Sequence, residues 1–80
     1  MTETEEKIIK IVAELFGKEP AELSPKTNFI YDLGADSLEV VELVIAVEEE
    51  FKVKIGDELL PDVKTIGGFA ALVAKQPIIN

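Results

Sequence analysis

Apolar residues recur near the start of the chain at intervals of three and four. Ile8, Ile11, Val12 and Leu15 fall on one side of a helix, and Ile9 and Phe16 widen the stripe. Thr2 and Glu5 stand at capping-box spacing ahead of it, and Gly17 follows it as a residue suited to a left-handed end. This predicts a first helix over 3–16 whose stripe serves the core. The periodicity then lapses over residues 18–35, where Pro20, Pro25, Asn28 and Gly34 form turns. One helical turn near 19–23, with Pro20 at its start, is compatible with that stretch. Leu23, Phe29 and Leu33 are too apolar for a free loop and are expected to anchor it. Loops this long in small domains are uncommon and often functional.

Periodicity returns at Ser37 and holds to Phe51. Asp36 occupies the N-cap position, and Glu39 lies where a capping-box side chain reaches back. At about 100° per residue, Val40, Leu43, Val44, Val47 and Phe51 share the face assigned to the core. Glu39, Glu42 and Glu49, with Ala46 between them, form an acidic stripe opposite. Leu38, Val41 and Ile45 lie beside that stripe and cannot all share the core face. Either a neighbouring helix covers them, or they form a small apolar patch rimmed by carboxylates, a composition that suits protein docking.

Residues 52–64 are ambiguous. Val53 and Ile55 read as buried anchors, and Asp57-Glu58-Leu59-Leu60 suits a short helix, but Pro61 disrupts a helix interior. A last helix is predicted over 66–75, with Thr65 as N-cap, Phe69, Leu72 and Val73 inward, and Pro77 beyond its end. Gly67 and Gly68 in its first turn predict fraying. The apolar tail Ile78-Ile79-Asn80 receives no role. The expected fold is all-α: a small four-helix bundle with three main helices, one short third helix, and a long loop between helices one and two. Eighty residues form one domain, 1–80.

Composition narrows the function. The chain has no Cys and no His, which removes disulfides, thiolate chemistry, the usual zinc ligands and the commonest general base. The polar, acidic start resembles neither a secretory signal nor a transit peptide, and no apolar run reaches membrane-spanning length. A soluble, cytoplasmic monomer is the expectation. The formal net charge of −8, with no Arg, argues against nucleic-acid binding. Residues 32–58 hold nine acids against two lysines, a net −7, whereas the first 31 residues hold six acids against four lysines. Such an acidic centre is either a solvated face or a docking surface for basic partners. Within it, Glu48, Glu49 and Glu50 crowd the last turn of the second helix, where carboxylates oppose the macrodipole. They are expected to cost stability and to be retained for partner binding.

Ser37 is the candidate for chemistry. A helix start offers unpaired N–H groups and a partial positive charge, which favour a phosphate esterified to that hydroxyl. The plainer reading, a first-turn residue with no chemistry, stands beside it. Ser37 has no His, and neither Lys nor carboxylate stands in a recognised spacing to activate it, so catalysis by the chain itself is disfavoured. Asp32 and Asp36 imitate a glycosidase pair, but so small a domain offers no obvious cleft. With Glu39 they are also oxygen ligands for a weakly held cation, although a solvated acidic helix start explains them as well, and no metal site is assigned. A serine without a base of its own does no chemistry unless another enzyme modifies it.

Leu33-Gly34-Ala35-Asp36-Ser37-Leu38-Glu39-Val40-Val41-Glu42-Leu43 resembles the modification motif of the acyl carrier proteins, and the resemblance runs on through Glu48-Glu49-Glu50-Phe51. It extends more weakly from Ile8 to Leu72. The resemblance implies a non-catalytic carrier whose Ser37 bears 4′-phosphopantetheine, with acyl chains held as thioesters on the terminal thiol. It implies that Asp36 helps hold Mg²⁺ while a phosphopantetheinyl transferase attaches the arm. Leu38, Glu39, Val41, Glu42, Ile45 and Glu49 then match positions that contact partner enzymes. It also implies that the acyl cargo slips between the helices, where Val44, Val47 and Ile66 are branched residues suited to lining a cavity. Gly34-Ala35-Asp36 and the Glu-rich helix favour partners in fatty-acid or polyketide synthesis. Peptidyl carriers, and an unmodified acidic interaction module, are the alternatives. Gly56, Pro61 and the Gly67-Gly68 pair depart from the family pattern.

Overall fold

The computed structural model describes residues 1–79, so of the apolar tail Asn80 lies outside the described residues. Three α-helices form it: α1 (Glu3–Phe16), α2 (Ser37–Phe51) and α3 (Ile66–Ala74). Short 3-10 helices occupy Pro20–Glu22 and Asp57–Asp62. The second of these is the expected short third helix. Pro61 lies inside it, and the tighter turn accommodates what an α-helix interior would reject. No strand occurs among the described residues, only isolated bridges between Asn28 and Thr65 and between Val53 and Ile78.

Helix α1 starts and stops as its sequence predicts. Thr2 and Glu5 complete a capping box, and Gly17 ends the helix in the left-handed conformation, φ 66°. Its buried arc is wider than the predicted stripe. Ile8, Ile9, Val12 and Ala13 are buried, while Ile11, Leu15 and Phe16 pack at the edges. The reason is that α1 packs along both α2 and α3, so two sides are covered. Helices α2 and α3 touch each other less than either touches α1.

The core centres on Ile8, Val12, Val47, Ile66 and Phe69, the largest fully buried side chains. Each is worth about 1.5–3 kcal/mol relative to exposure. Leu23, Phe29, Val53 and Ile55 are buried as anchors of their loops.

The first turn of α3 is not frayed. The Ile66 N–H donates to the Thr27 carbonyl (3.0 Å) and the Gly67 N–H to the Pro25 carbonyl (2.8 Å). Gly68 N–H donates to Thr65 Oγ1 (3.1 Å), and Phe69 N–H to the Thr65 carbonyl (2.9 Å). The three first-turn N–H groups that no intrahelical carbonyl reaches, those of Ile66, Gly67 and Gly68, therefore all have acceptors. Gly67 sits at a close approach: a Cβ there would stand 3.0 Å from the Pro25 carbonyl oxygen and 3.1 Å from its Cβ, so the loop would have to give way.

The end of α2 holds a contact that composition did not reveal. Lys52 ends the helix in the left-handed region, φ 56°. The turn carries Ile55 back so that its N–H donates to Glu48 Oε2 at 2.7 Å. Glu48 thus staples the following loop, and the expectation that all three terminal acids merely oppose the dipole fails for it. The tail is also tied down, through the Ile79 N–H donating to the Lys52 carbonyl (2.6 Å), although Ile78 and Ile79 remain exposed.

Candidate functional site: an exposed serine at a helix start beside an apolar pocket

The loop ahead of α2 is a knot of short hydrogen bonds around Asn28. Asn28 N–H donates to Asp32 Oδ2 (2.7 Å). Asn28 Oδ1 accepts from the N–H groups of Ile30 and Tyr31, both at 2.9 Å. Phe29 is pinned on both sides: its N–H donates to the Lys64 carbonyl (3.0 Å) and its carbonyl accepts from Ala35 N–H (2.9 Å). Gly34 then turns the chain with φ 62°, a conformation that glycine adopts without a steric penalty. The loop is therefore a fixed support that delivers residues 35–37, with Ala35 buried as its last anchor.

Asp36 caps α2. Its Oδ1 accepts from Glu39 N–H (2.8 Å), and Glu39 Oε1 accepts from Asp36 N–H (3.0 Å). Asp36 Oδ2 takes no part in the cap. Ser37, the first residue of α2, is exposed. Among the described residues no acceptor lies against the N–H groups of Ser37 or Leu38. Two amide donors and the positive end of the helix thus surround an exposed hydroxyl, an arrangement that fits a phosphate on Ser37 Oγ. Among the described residues no group of three or more acidic side chains is arranged to hold a metal ion. Asp32 and Glu39 are committed to the loop and the cap.

Of the two arrangements open for the second face of α2, the structure shows the exposed patch. Leu38, Val41 and Ile45 are 66%, 52% and 50% exposed. Glu42 and Glu49 beside them are exposed, and Glu39 is half-buried. The one ion pair among the described residues, Lys7 with Glu3, lies elsewhere, so this acidic rim is uncompensated. The face assigned to the core is correct, with Leu43, Val44 and Val47 buried and Val40 and Phe51 packed at its edge.

An apolar pocket of about 380 Å³ opens between α2, the Asn28 loop and residues 60–64. Val40, Leu43 and Val44 form its α2 wall, and Leu60, Pro61 and Val63 face them. Val40 is one turn, about 4.5 Å along the axis, from Ser37. Of the three residues proposed to line a cavity, only Val44 does so. Val47 and Ile66 are 0% exposed and lie in the sealed core. The lining that sequence reasoning missed comes from Ile30, Tyr31, Leu60 and Phe69. Ile30 and Tyr31, an aliphatic and an aromatic residue set beside the motif in a turn-rich loop, were the signal available in the sequence.

A family model for the phosphopantetheine attachment site matches residues 6–73. The chain belongs to that family. Its cofactor is 4′-phosphopantetheine, covalently attached, and the family is one of carrier domains that transferases modify and biosynthetic enzymes use. Among solved structures it is similar to the solution structure of the apo doublet acyl carrier protein from prodigiosin biosynthesis. The TM-score is 0.78 at 24% identity, over 99% of this chain and 40% of that one. That likeness establishes the acyl-carrier fold, and the chain spans 40% of the length of the protein it matches.

Proposed function

We propose that this chain is an acyl carrier whose Ser37 is the attachment residue, carrying acyl intermediates as thioesters for enzymes of fatty-acid, polyketide or specialised lipid synthesis. The observation that carries the proposal is the exposed Ser37 hydroxyl with the unaccepted Ser37 and Leu38 N–H groups around it, one turn from an apolar pocket. The arm supplies the thiol on which cargo is esterified. The chain's own residues position and shelter: Asp36 fixes the helix start, Gly34 turns the loop toward it, and the pocket shields apolar cargo from water. Asp36 Oδ2, outside the cap, is available to a cation during arm attachment. Ser24, the other serine, is engaged differently: its hydroxyl accepts from Lys26 N–H (3.1 Å) in a loop with no helix start behind it.

The patch of Leu38, Val41 and Ile45, with Glu39, Glu42 and Glu49 at its rim, is the docking surface in this reading. Its partners are a phosphopantetheinyl transferase and synthases with basic surfaces.

Treatment with a phosphopantetheinyl transferase and coenzyme A, followed by intact mass, tests the assignment. The wild-type chain should gain one arm. Ser37→Ala should fold alike and gain none. An arm on Ser37→Ala, or none on the wild type, would refute it.

A further inference from the structure

We propose that this carrier's cargo is an acyl group with an apolar stem and a carboxylate at its far end, and that the Lys64 ammonium recognises that carboxylate. The inference rests on the reading of Ser37 as the arm-bearing residue. An apolar pocket in a strongly acidic chain is a poor place for an anion unless something local reverses the field. The lining does so. None of the chain's sixteen acidic residues lines the pocket among the described residues, and Asp62, in the same wall segment, is not part of it. The charged residue that does line it is Lys64.

Lys64 is exposed and has no carboxylate within ion-pair distance among the described residues. Its Nζ lies 3.5 Å from the carbonyl of Pro61, itself a lining residue, a long contact that leaves the ammonium's other donors free. Its backbone is fixed. The Lys64 carbonyl accepts from Phe29 N–H (3.0 Å), and Thr65 caps α3 directly after it.

Asn28 adds a neutral donor. The bridge between Asn28 and Thr65 sets it beside Lys64. Its Oδ1 accepts from the N–H groups of Ile30 and Tyr31, which fixes the amide plane and leaves Nδ2 without an acceptor among the described residues. With the Tyr31 hydroxyl, the polar side chains of the lining can all donate. The acidic rim of α2 lies on another face. Glu42 and Glu49 flank Leu38, Val41 and Ile45, Glu39 is held by the cap, and the pocket wall is Val40, Leu43 and Val44.

The experiment loads the full chain with a phosphopantetheinyl transferase from hexanoyl- or adipoyl-coenzyme A, equal in length and differing only in the terminal carboxylate. Mass confirms loading, and thermal melting at low salt reads stability against the arm alone. The adipoyl form should melt no lower than the form with the arm alone. Lys64→Met should lower the adipoyl melting temperature by about 1–6 °C relative to the hexanoyl one, the range that an exposed ion pair gives in a chain of this length. Lys64→Arg should keep most of the wild-type difference, and added salt should shrink it. Lys54→Met, at a lysine beyond the far end of α2, controls for net charge and should move both forms alike. An adipoyl form that melts below the arm alone, or adipoyl and hexanoyl forms that Lys64→Met moves equally, overturns the role of Lys64 while the carrier reading stands. Absence of any loading, seen first by mass, overturns both.

Discussion

Glu48 tests how well local rules survive tertiary structure. By position alone, a carboxylate in the last turn of α2 opposes the macrodipole by about 0.3–1 kcal/mol. In the fold, its Oε2 accepts from the N–H of Ile55 at 2.7 Å, and Ile55 is 3% exposed. A hydrogen bond to a charged group is worth about 1.5–3 kcal/mol net, and its loss leaves a buried donor without a partner. The second effect wins, so Glu48→Ala should lose about 1–2 kcal/mol. For 80 residues, at about 2.1 cal/mol/K of unfolding entropy each, one kcal/mol corresponds to roughly 6 °C. Circular dichroism melts should therefore show a fall of about 6–12 °C at low salt. The deficit should widen as salt rises, because screening removes the dipole relief faster than it weakens a part-buried hydrogen bond. Hydrogen exchange at the Ile55 amide should quicken. Glu49→Gln with Glu50→Gln should move the other way, gaining on the order of 1 kcal/mol at low salt. Changing all three to Gln should nearly cancel. The argument fails if Glu48→Ala melts at or above the wild type and the Ile55 exchange rate is unchanged.

Three other outcomes follow from the same geometry. Glu42→Lys should slow association with the transferase and flatten its salt dependence, since long-range attraction sets on-rates; equal rates at low salt would make the acidic rim only a solubilising face. Ile45→Ala, which trims a side chain that is half exposed in the unbound carrier, should mainly quicken dissociation in a surface-binding assay. Gly67→Ala should lower the melting temperature despite a helix-propensity gain of about 1 kcal/mol, because its Cβ meets the rigid Pro25 backbone at 3.0 Å; a higher melting temperature would show that the loop yields.

The helix starts and the faces of α2 were written in the sequence. The boundaries of α1 and α2, both capping boxes and the left-handed Gly17 depend on residues within four positions of one another, so spacing suffices to place them. The position of Ser37 at a helix start and the division of α2 into core, acidic and apolar faces are local in the same way. The exposure of Leu38, Val41 and Ile45 is not, because it depends on where α1 and α3 lie, and periodicity left it open. Only the tertiary structure made the double glycine of α3 a well-bonded turn, by bringing Pro25 and Thr27 to its N–H groups. It alone gave Glu48 a partner seven residues away, once Lys52 had reversed the chain. The pocket is the furthest from local rules. Its lining comes from four separate segments, so whether a branched residue lines it or is sealed in the core depends on how those segments pack. Val44 lines it with Phe69, while Val47 and Ile66 are sealed in the core.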